Sequence, residues 1–330
     1  MMDSPKVSVA IITYHQAAFI AQAIDSVLAQ QVDFPIEILI GEDDSSDGTR
    51  EIVRRYAAAH PEKIRAFFHD RHAPSPYRPA MRNFVHNLRA ARGQYIALLE
   101  GDDFWTAPDK LQKQVSLLDA HPDAAVCFAR ADILLEDGRK QSGHGAVPLP
   151  QPRFTLADVL DRRVLARLCT VVYRRGLFPD IPDWFCRAPV GDLPLLVLNG
   201  LKGDFLFLDE YLATYRKHAG GMWSQGTASL AARAQRCATL VRLYELLRAH
   251  TPPAFAAIID RHISTFAHGE AAAHRALGDW PALRSSLGRA LRAAPFNPAI
   301  PLRQTLGALL VAACPWLTRL SRPSPQGSGE

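Results

Sequence analysis

Three carboxylates, Glu100, Asp102 and Asp103, crowd the stretch that follows the apolar run Tyr95-Ile96-Ala97-Leu98-Leu99. A short unbroken apolar run closed by turn residues reads as a buried strand. Ligands of an open parallel sheet gather outside the carboxyl ends of its strands. Oxygen ligands there suit a hard divalent cation, which typically takes one or two carboxylates together with substrate phosphates. A plain surface turn would use the same Gly-Asp-Asp chemistry, so the stretch gains meaning only from what accompanies it. A second acidic turn, Glu42-Asp43-Asp44-Ser45-Ser46-Asp47-Gly48, follows the apolar residues 36–40. Ser46, Asp47 and Gly48 suit the cap of a helix starting near Thr49; capping leaves Glu42 and Asp43 unexplained. Asp192 opens an apolar segment after Pro189-Val190-Gly191, and His218 follows Tyr215-Arg216-Lys217 at the edge of a Gly-rich loop. The macrodipole favours a carboxylate at a helix start whatever its function.

The elements that must position these residues alternate. Residues 6–14 are rich in β-branched side chains and read as a central strand. An amphipathic helix follows from Phe19, with strands at 36–40 and 64–68 and a short helix at 81–91 carrying Asn83 and His86. Beyond the central acids come a helix from about Asp109 to Ala120 and a strand at 124–135. This alternation predicts an α/β fold, a doubly wound and mostly parallel sheet flanked by helices. Residues 143–152 read as a mobile connection, and strands are expected at 168–173, 205–208 and 211–215, with a helix after Asp192. From about residue 225 the pattern becomes helical only, over 228–250, 254–277 and 280–294, and residues 321–330 read as disordered. The expected organisation is therefore a domain at 1–224 and a helical extension at 225–330.

Composition sets bounds on partners and compartment. The chain has 330 residues, 48% of them hydrophobic and 22% charged, ample for a real core. Its net charge of +5 is uneven, since residues 225–330 hold 12 Lys and Arg against 5 Asp and Glu. A basic tail on a near-neutral body suits an anionic surface. Aromatic interleaving of the kind nucleic-acid modules use is missing there, which argues against nucleic acid. The apolar residues 306–317, flanked by Arg303, Arg319 and Arg322, are too few to span a bilayer, which needs about 20, and fit peripheral contact at a membrane face. Cys127, Cys169, Cys186, Cys237 and Cys314 form no CxxC pair, and no signal-peptide pattern precedes the first strand, so a reducing, cytoplasmic location is expected.

Taken in order, five motifs resemble family 2 glycosyltransferases of the GT-A fold, in particular the bacterial enzymes of surface-polysaccharide assembly. Val7-Ser8-Val9-Ala10-Ile11-Ile12-Thr13-Tyr14 is similar to the opening strand that ends at the nucleotide base. The turn Glu42–Thr49 is similar to the one whose carboxylate contacts that base, and Leu99–Trp105 resembles the DxD-type motif. Gly191-Asp192 falls where the family has its base, and Tyr215–Gly221 matches a loop of the bacterial subgroup. The resemblance covers about residues 6–224. It implies an inverting, metal-dependent transfer of a sugar from a nucleotide-diphosphate donor to a hydroxyl of a glycan or lipid-linked acceptor. Its implied roles are Asp192 as catalytic base, Thr13, Tyr14, Asp43, Asn83 and Asp102 at the donor, and Asp103 with His218 on Mg²⁺ or Mn²⁺. Three positions depart from the family pattern: His15 where Asn is frequent, Asp44 where Gly or Cys is usual, and Gly191 where Glu is common.

Two other functions compete. A non-catalytic nucleotide-sugar binding module would keep the fold as a scaffold, against which the retained Asp43, Asp103 and Asp192 argue. A nucleotidyltransferase would carry a Gly-rich phosphate loop after the first strand, where this chain has Thr13-Tyr14-His15-Gln16-Ala17-Ala18.

Overall fold

The computed structural model describes residues 4–142, 151–221, 229–301, 303, 304 and 306–308. The chain divides into two compact units, Met1–His218 and Ala219–Glu330. The boundary expected at 224/225 and most of the 143–152 connection lie outside the described residues, as do residues 321–330 and most of the apolar stretch 306–317.

The first unit is built on one sheet. Its elements run β1 (Val7–Thr13), α1 (Ile20–Leu28), β2 (Ile36–Glu42), α2 (Thr49–Ala59), β3 (Ile64–Phe68), α3 (Pro79–Ala90), β4 (Tyr95–Glu100), β5 (Phe104–Trp105) and α4 (Lys110–Ala120). After these come β6 (Ala124–Leu135), β7 (Lys140–Ser142), β8 (Arg153–Phe154), α5 (Leu156–Leu160), a 3-10 turn (Leu168–Thr170), β9 (Val172–Arg174), α6 (Asp183–Cys186), α7 (Asp192–Gly200) and β10 (Asp204–Lys217). Strand order is β3-β2-β1-β4-β9-β6-β10-β5, with β7 on β6 and β8 on β10. The first four strands are parallel and β10 runs parallel to β6, while β9 is antiparallel to both β4 and β6. Such mixed sheets, covered on both faces, require nearly continuous apolar strands. Val7, Val9 and Ile11 of β1, Ile38 and Ile40 of β2, and Tyr95, Ala97 and Leu99 of β4 supply them, packed on Ile20, Ile24 and Val27 of α1.

Two expectations change. Residues 168–173 form a 3-10 turn and only a three-residue strand, because Cys169 and Thr170 wedge the chain between β4 and α4: Leu98 donates to the Val171 carbonyl, and Gln114 Nε2 to that of Thr170. The separate strands expected at 205–208 and 211–215 are one strand, β10, with irregular register on β6 between Leu208 and Ala213. Asp209 and Glu210 interrupt the apolar pattern there without ending the ladder, since an irregularity absorbs the extra residues.

In the second unit, α8 (Leu230–His250), α9 (Ala256–Leu277) and α10 (Trp280–Ala293) are successive helices. Ser229 caps α8 through the Ala232 amide and Asp279 caps α10 through that of Ala282. Leu283, Leu287 and Ala271 pack together with Ala308. No helix among the described residues is long and apolar enough to cross a membrane.

Candidate active site

The carboxyl ends of β1, β2 and β4 meet because these strands are register-matched neighbours: Thr13 lies beside Glu42 and Ile12 beside Glu100. Gly101 then turns back under β1, its amide donating to the Ile12 carbonyl. A Cβ there would lie 2.5 Å from Gln16 Oε1 and 2.8 Å from Thr13 Oγ1, so only glycine fits.

Asp102 and Asp103 are adjacent, and the fold separates them. Asp103 is 1% exposed, and its Oδ1 accepts the Arg216 backbone N–H at 2.8 Å. Its Oδ2 is buried without a hydrogen-bond partner. Asp102 is partly exposed, its Oδ2 3.0 Å from His218 Nε2. Arg216 locks this arrangement, donating from Nε to the Asp102 carbonyl and from Nη2 to Gln22 Oε1. Its guanidinium lies 4.6 Å from the Phe19 ring centre and 5.3 Å from that of Phe104. β10 thus delivers Arg216 and His218 across more than a hundred residues to the turn after β4.

Glu100 stands at the centre of the acidic floor. Loss of hydration pushes its carboxyl well up from the ordinary range, and repulsion from Asp103, Asp102 and Asp192 adds to this, with Arg167 opposing. Asp103 is likewise pushed well up, first by burial and then by Asp102. Asp192 belongs to the same electrostatic neighbourhood. It sits in the first turn of α7, its Oδ1 is buried and unpartnered, and desolvation raises its pKa against the Leu193 amide and Arg162.

A second group lies at the ends of β1 and β2. Asp43 is buried and ion-paired with Arg71, whose guanidinium lies 3.8 Å from the centre of the Tyr14 ring. Desolvation raises the Asp43 pKa, with Arg71 and Arg82 opposing. Tyr14 stacks on His15 at 4.0 Å, and the Asp43 amide donates to the Thr13 carbonyl. Glu42, unexplained by capping, is fully buried, pairs with Arg50 and accepts the Ser45 amide, so it shapes the acidic turn. Ser45 and Asp47 accept the His15 and Ala17 amides, gripping the turn after β1. Asp47 also accepts the Thr49 amide at the start of α2, while the N-cap residue is Gly48.

Asp102, Asp103 and Asp192 are therefore the acidic neighbours of Glu100, His218 joins through Asp102, and Thr13, Tyr14 and Asp43 follow the adjacent strand ends. Asn83 lies behind the end of β2. Its buried Nδ2 donates to the Gly41 carbonyl at 2.8 Å, tying α3 to β2 as Asn87 ties α3 to β1. Arg71 and Arg167 were not singled out from the sequence, since an isolated arginine carries no spacing signal.

The departures from the family pattern have backbone causes. His15 has φ 53° and Asp44 φ 65°. Both positions demand the left-handed region that Asn and Gly enter most readily and that His and Asp tolerate. At Gly191 a Cβ would lie 2.6 Å from the Phe84 ring, so packing against α3 leaves no room for the common Glu.

Among the described residues no three His, Cys, Asp or Glu side chains form a group that could hold a metal by themselves. Asp102 and His218 nonetheless present one oxygen and one nitrogen together. That fits a cation whose remaining ligands are phosphate oxygens and water.

The profile described as Glycosyl transferase family 2 matches residues 8–178. An uncharacterised protein of Mycobacterium tuberculosis is 38% identical over 223 residues, covering 66% of this chain and 60% of that protein, so the chain spans about 60% of that relative's length. An uncharacterised glycosyltransferase of Nostoc is 35% identical, covering 64% of this chain and 65% of the relative. The succinoglycan biosynthesis protein ExoO of Rhizobium meliloti is 31% identical over 49% of this chain and 44% of its own. Among solved structures, S. aureus TarS 1-349 in complex with UDP-GlcNAc superimposes with a TM-score of 0.59 at 19% identity, covering 91% of this chain and 82% of that one. A Pyrobaculum calidifontis mannosyltransferase in complex with GDP-Man and Mn²⁺ does so with a TM-score of 0.52 at 20% identity, covering 96% of this chain and 84% of that one. These structural likenesses are likenesses of fold. With the family profile matching more than half its length, the chain belongs to glycosyl transferase family 2.

Proposed function

We propose that the chain transfers a sugar from a nucleoside-diphosphate donor to a hydroxyl of a glycan or lipid-linked acceptor in surface-polysaccharide assembly, with inversion at the anomeric carbon. One observation carries this reading. At the carboxyl end of β4, Glu100, Asp102 and Asp103 lie together, with His218, which follows β10, on Asp102, and with Asp192 of α7 within electrostatic reach of Glu100.

Asp102 and His218 would hold the divalent cation, Mg²⁺ or Mn²⁺. This shifts the metal-ligand role from Asp103 to its neighbour, because Asp103 is buried and engaged by the Arg216 amide. A cation there would neutralise charge gathering on the departing diphosphate. Asp103 instead sets the turn that aims Asp102. Tyr14, Arg71 and Asp43 would form the nucleobase subsite, the unpartnered Asp43 Oδ1 offering an acceptor to the N–H edge of the base. Thr13 closes the floor of that subsite through its contact with Gln16. Asn83 would support this subsite from α3, through its bond to the Gly41 carbonyl of β2.

Asp192 would take the acceptor's proton. Its raised pKa makes it a better base than an ordinary carboxylate, and its unpartnered Oδ1 leaves an acceptor site for that proton. A single base without a second nucleophile fits one displacement, hence inversion. The basic excess of residues 225–330 supports contact between this region and an anionic membrane face. The free thiols Cys127, Cys169, Cys186 and Cys237 suit a reducing, cytoplasmic compartment.

The test is calorimetric binding of UDP, UDP-GlcNAc, GDP and GDP-mannose to the full chain, with Mn²⁺ and with chelator, followed by a glycan acceptor screen. Metal-dependent binding of one nucleotide class and transfer from its sugar form are expected. Binding without transfer or donor hydrolysis would leave a binding module; no nucleotide binding at all would refute the reading.

A further inference from the structure

The segment between β3 and α3 is bonded at both ends to other parts of the first unit. Near its start Arg71 is ion-paired with Asp43, and its guanidinium lies 3.8 Å from the centre of the Tyr14 ring. At its end the Tyr77 hydroxyl donates to Asp183 Oδ1 at 2.9 Å, and Arg78 Nη1 donates to the Pro189 carbonyl at 2.9 Å. Asp183 opens α6, and Pro189 lies three residues before Asp192. One short stretch therefore touches both the acidic turn after β2 and the loop that leads into α7.

The stretch is braced along its length. Arg82, in the first turn of α3, donates from Nη1 to the Ala73 carbonyl at 3.1 Å and from Nη2 to that of Asp70. Its own amide donates to the Arg78 carbonyl at 2.9 Å. Asp70 Oδ1 accepts the His72 amide and Ser75 Oγ that of Tyr77, closing two local turns. Pro74, Pro76 and Pro79 each fix φ and leave the chain few other conformations. From the other side α3 meets the same loop. A Cβ at Gly191 would lie 2.6 Å from the Phe84 ring and 3.4 Å from the Met81 sulfur, so the chain before Asp192 rests directly on the helix. A chain held in this way moves as a unit, and a restraint on Arg71 reaches Arg78.

We infer that residues 70–79 are a strap through which the bound nucleotide sets the place of Asp192, with Tyr77 and Arg78 as the positioning residues at its far end. This rests on the proposed function above, which gives the nucleobase to Tyr14, Arg71 and Asp43 and the acceptor's proton to Asp192. A base in that subsite adds a partner at the Arg71 end. The strap carries the restraint to Asp183 and to the Pro189 carbonyl, and so steadies the chain entering α7. Rigidity gained at one site lowers the cost of ordering at the next. The donor therefore prepares the base for the acceptor, and donor binds before acceptor. Neither Tyr77 nor Arg78 touches a substrate.

The experiment is hydrogen–deuterium exchange of the full chain with and without UDP or GDP, each with Mn²⁺, for the parent, Tyr77→Phe, Arg78→Met and Arg78→Lys. Calorimetry reports the nucleotide Kd of each. With the diphosphate that the parent binds, amides at 70–79 and at 183–192 should both slow by about threefold or more, the worth of one modest hydrogen bond. In Arg78→Met the slowing at 70–79 should persist and the Kd should stay within about twofold, while the slowing at 183–192 vanishes. Arg78→Lys keeps a donor for the Pro189 carbonyl and should restore it. A residue that merely holds the fold would speed exchange at 183–192 with and without nucleotide alike and leave the nucleotide's effect in place; that result overturns the inference. So does slowing in the parent that stops at 70–79. If Arg78→Met does not fold, Tyr77→Phe decides: it must weaken the effect at 183–192 and spare that at 70–79. A parent that binds neither diphosphate removes the proposed function, and this inference with it.

Discussion

Replacing Lys110 by methionine should stabilise the protein, and by an amount that depends on pH. Lys110 opens α4 fully buried, with its Nζ 4.2 Å from the centre of the Trp105 ring and no hydrogen-bond partner. Desolvation depresses its pKa from 10.5 to about 7, against the pull of Cys169 and Cys127. Below pH 7 the ammonium is charged in both the folded and unfolded chains, and the folded state carries the whole penalty. Between pH 7 and 10.5 the unfolded chain binds the extra proton, so stability rises with pH through that window. Linkage gives a cost of about 4 kcal/mol at pH 7 and about 2 kcal/mol at pH 9, both upper bounds once water penetration is allowed. Methionine keeps the aliphatic stem against Trp105 and removes the amine. Urea unfolding of parent and Lys110→Met at pH 7, 8 and 9 should show the variant more stable at pH 7, with the gap narrowing by about 2 kcal/mol at pH 9. The thiols beside Lys110 do not confuse the comparison. Burial pushes Cys127 up to about 12 and Cys169 well up, and unfolded thiols titrate alike in both proteins. A gap that is constant with pH, or a variant less stable at pH 7, would refute the reasoning.

Asp192→Asn should cut transfer by roughly 10²–10⁴ while leaving donor affinity nearly unchanged, the usual worth of a general base. Because burial raises the Asp192 pKa, the parent's rate should fall on the acid side at a pH above the ordinary aspartate range, and that limb should vanish in the variant; parent-like turnover sinks the assignment. Asp102→Asn and His218→Ala should each abolish the difference in nucleotide affinity between Mn²⁺ and chelator, read by calorimetry; metal-dependent binding that survives in both would move the cation elsewhere. Deleting residues 302–330 should remove flotation with anionic liposomes, and flotation that persists, or none in the full chain, ends the membrane proposal.

The sequence by itself determined the central parallel strands, while the chain at 168–173 and 205–215 read differently from its structure. Buried parallel strands must be short, apolar and unbroken, so residues 6–14, 36–40 and 95–99 announce themselves, and the structure has them as β1, β2 and β4. It also determined the helical character of the second unit, whose apolar positions recur at helical spacing. Tertiary structure decided which partner each carboxylate takes. Asp102 and Asp103 are indistinguishable by type and spacing, and the Arg216 amide, delivered by β10 from 113 residues away, buries one and leaves the other to His218. It likewise decided that Asn83 ties α3 to β2 and that Arg71 pairs with Asp43, because a lone polar or charged residue has no periodicity and its partner lies on another element. The unusual residues at 15, 44 and 191 follow the same division: the sequence marks them as departures, and the left-handed φ at His15 and Asp44 and the Phe84 ring against Gly191 supply the reason. Local pattern specifies elements, since it repeats within a few residues; a site is assembled from the ends of elements, and only packing sets which ends meet.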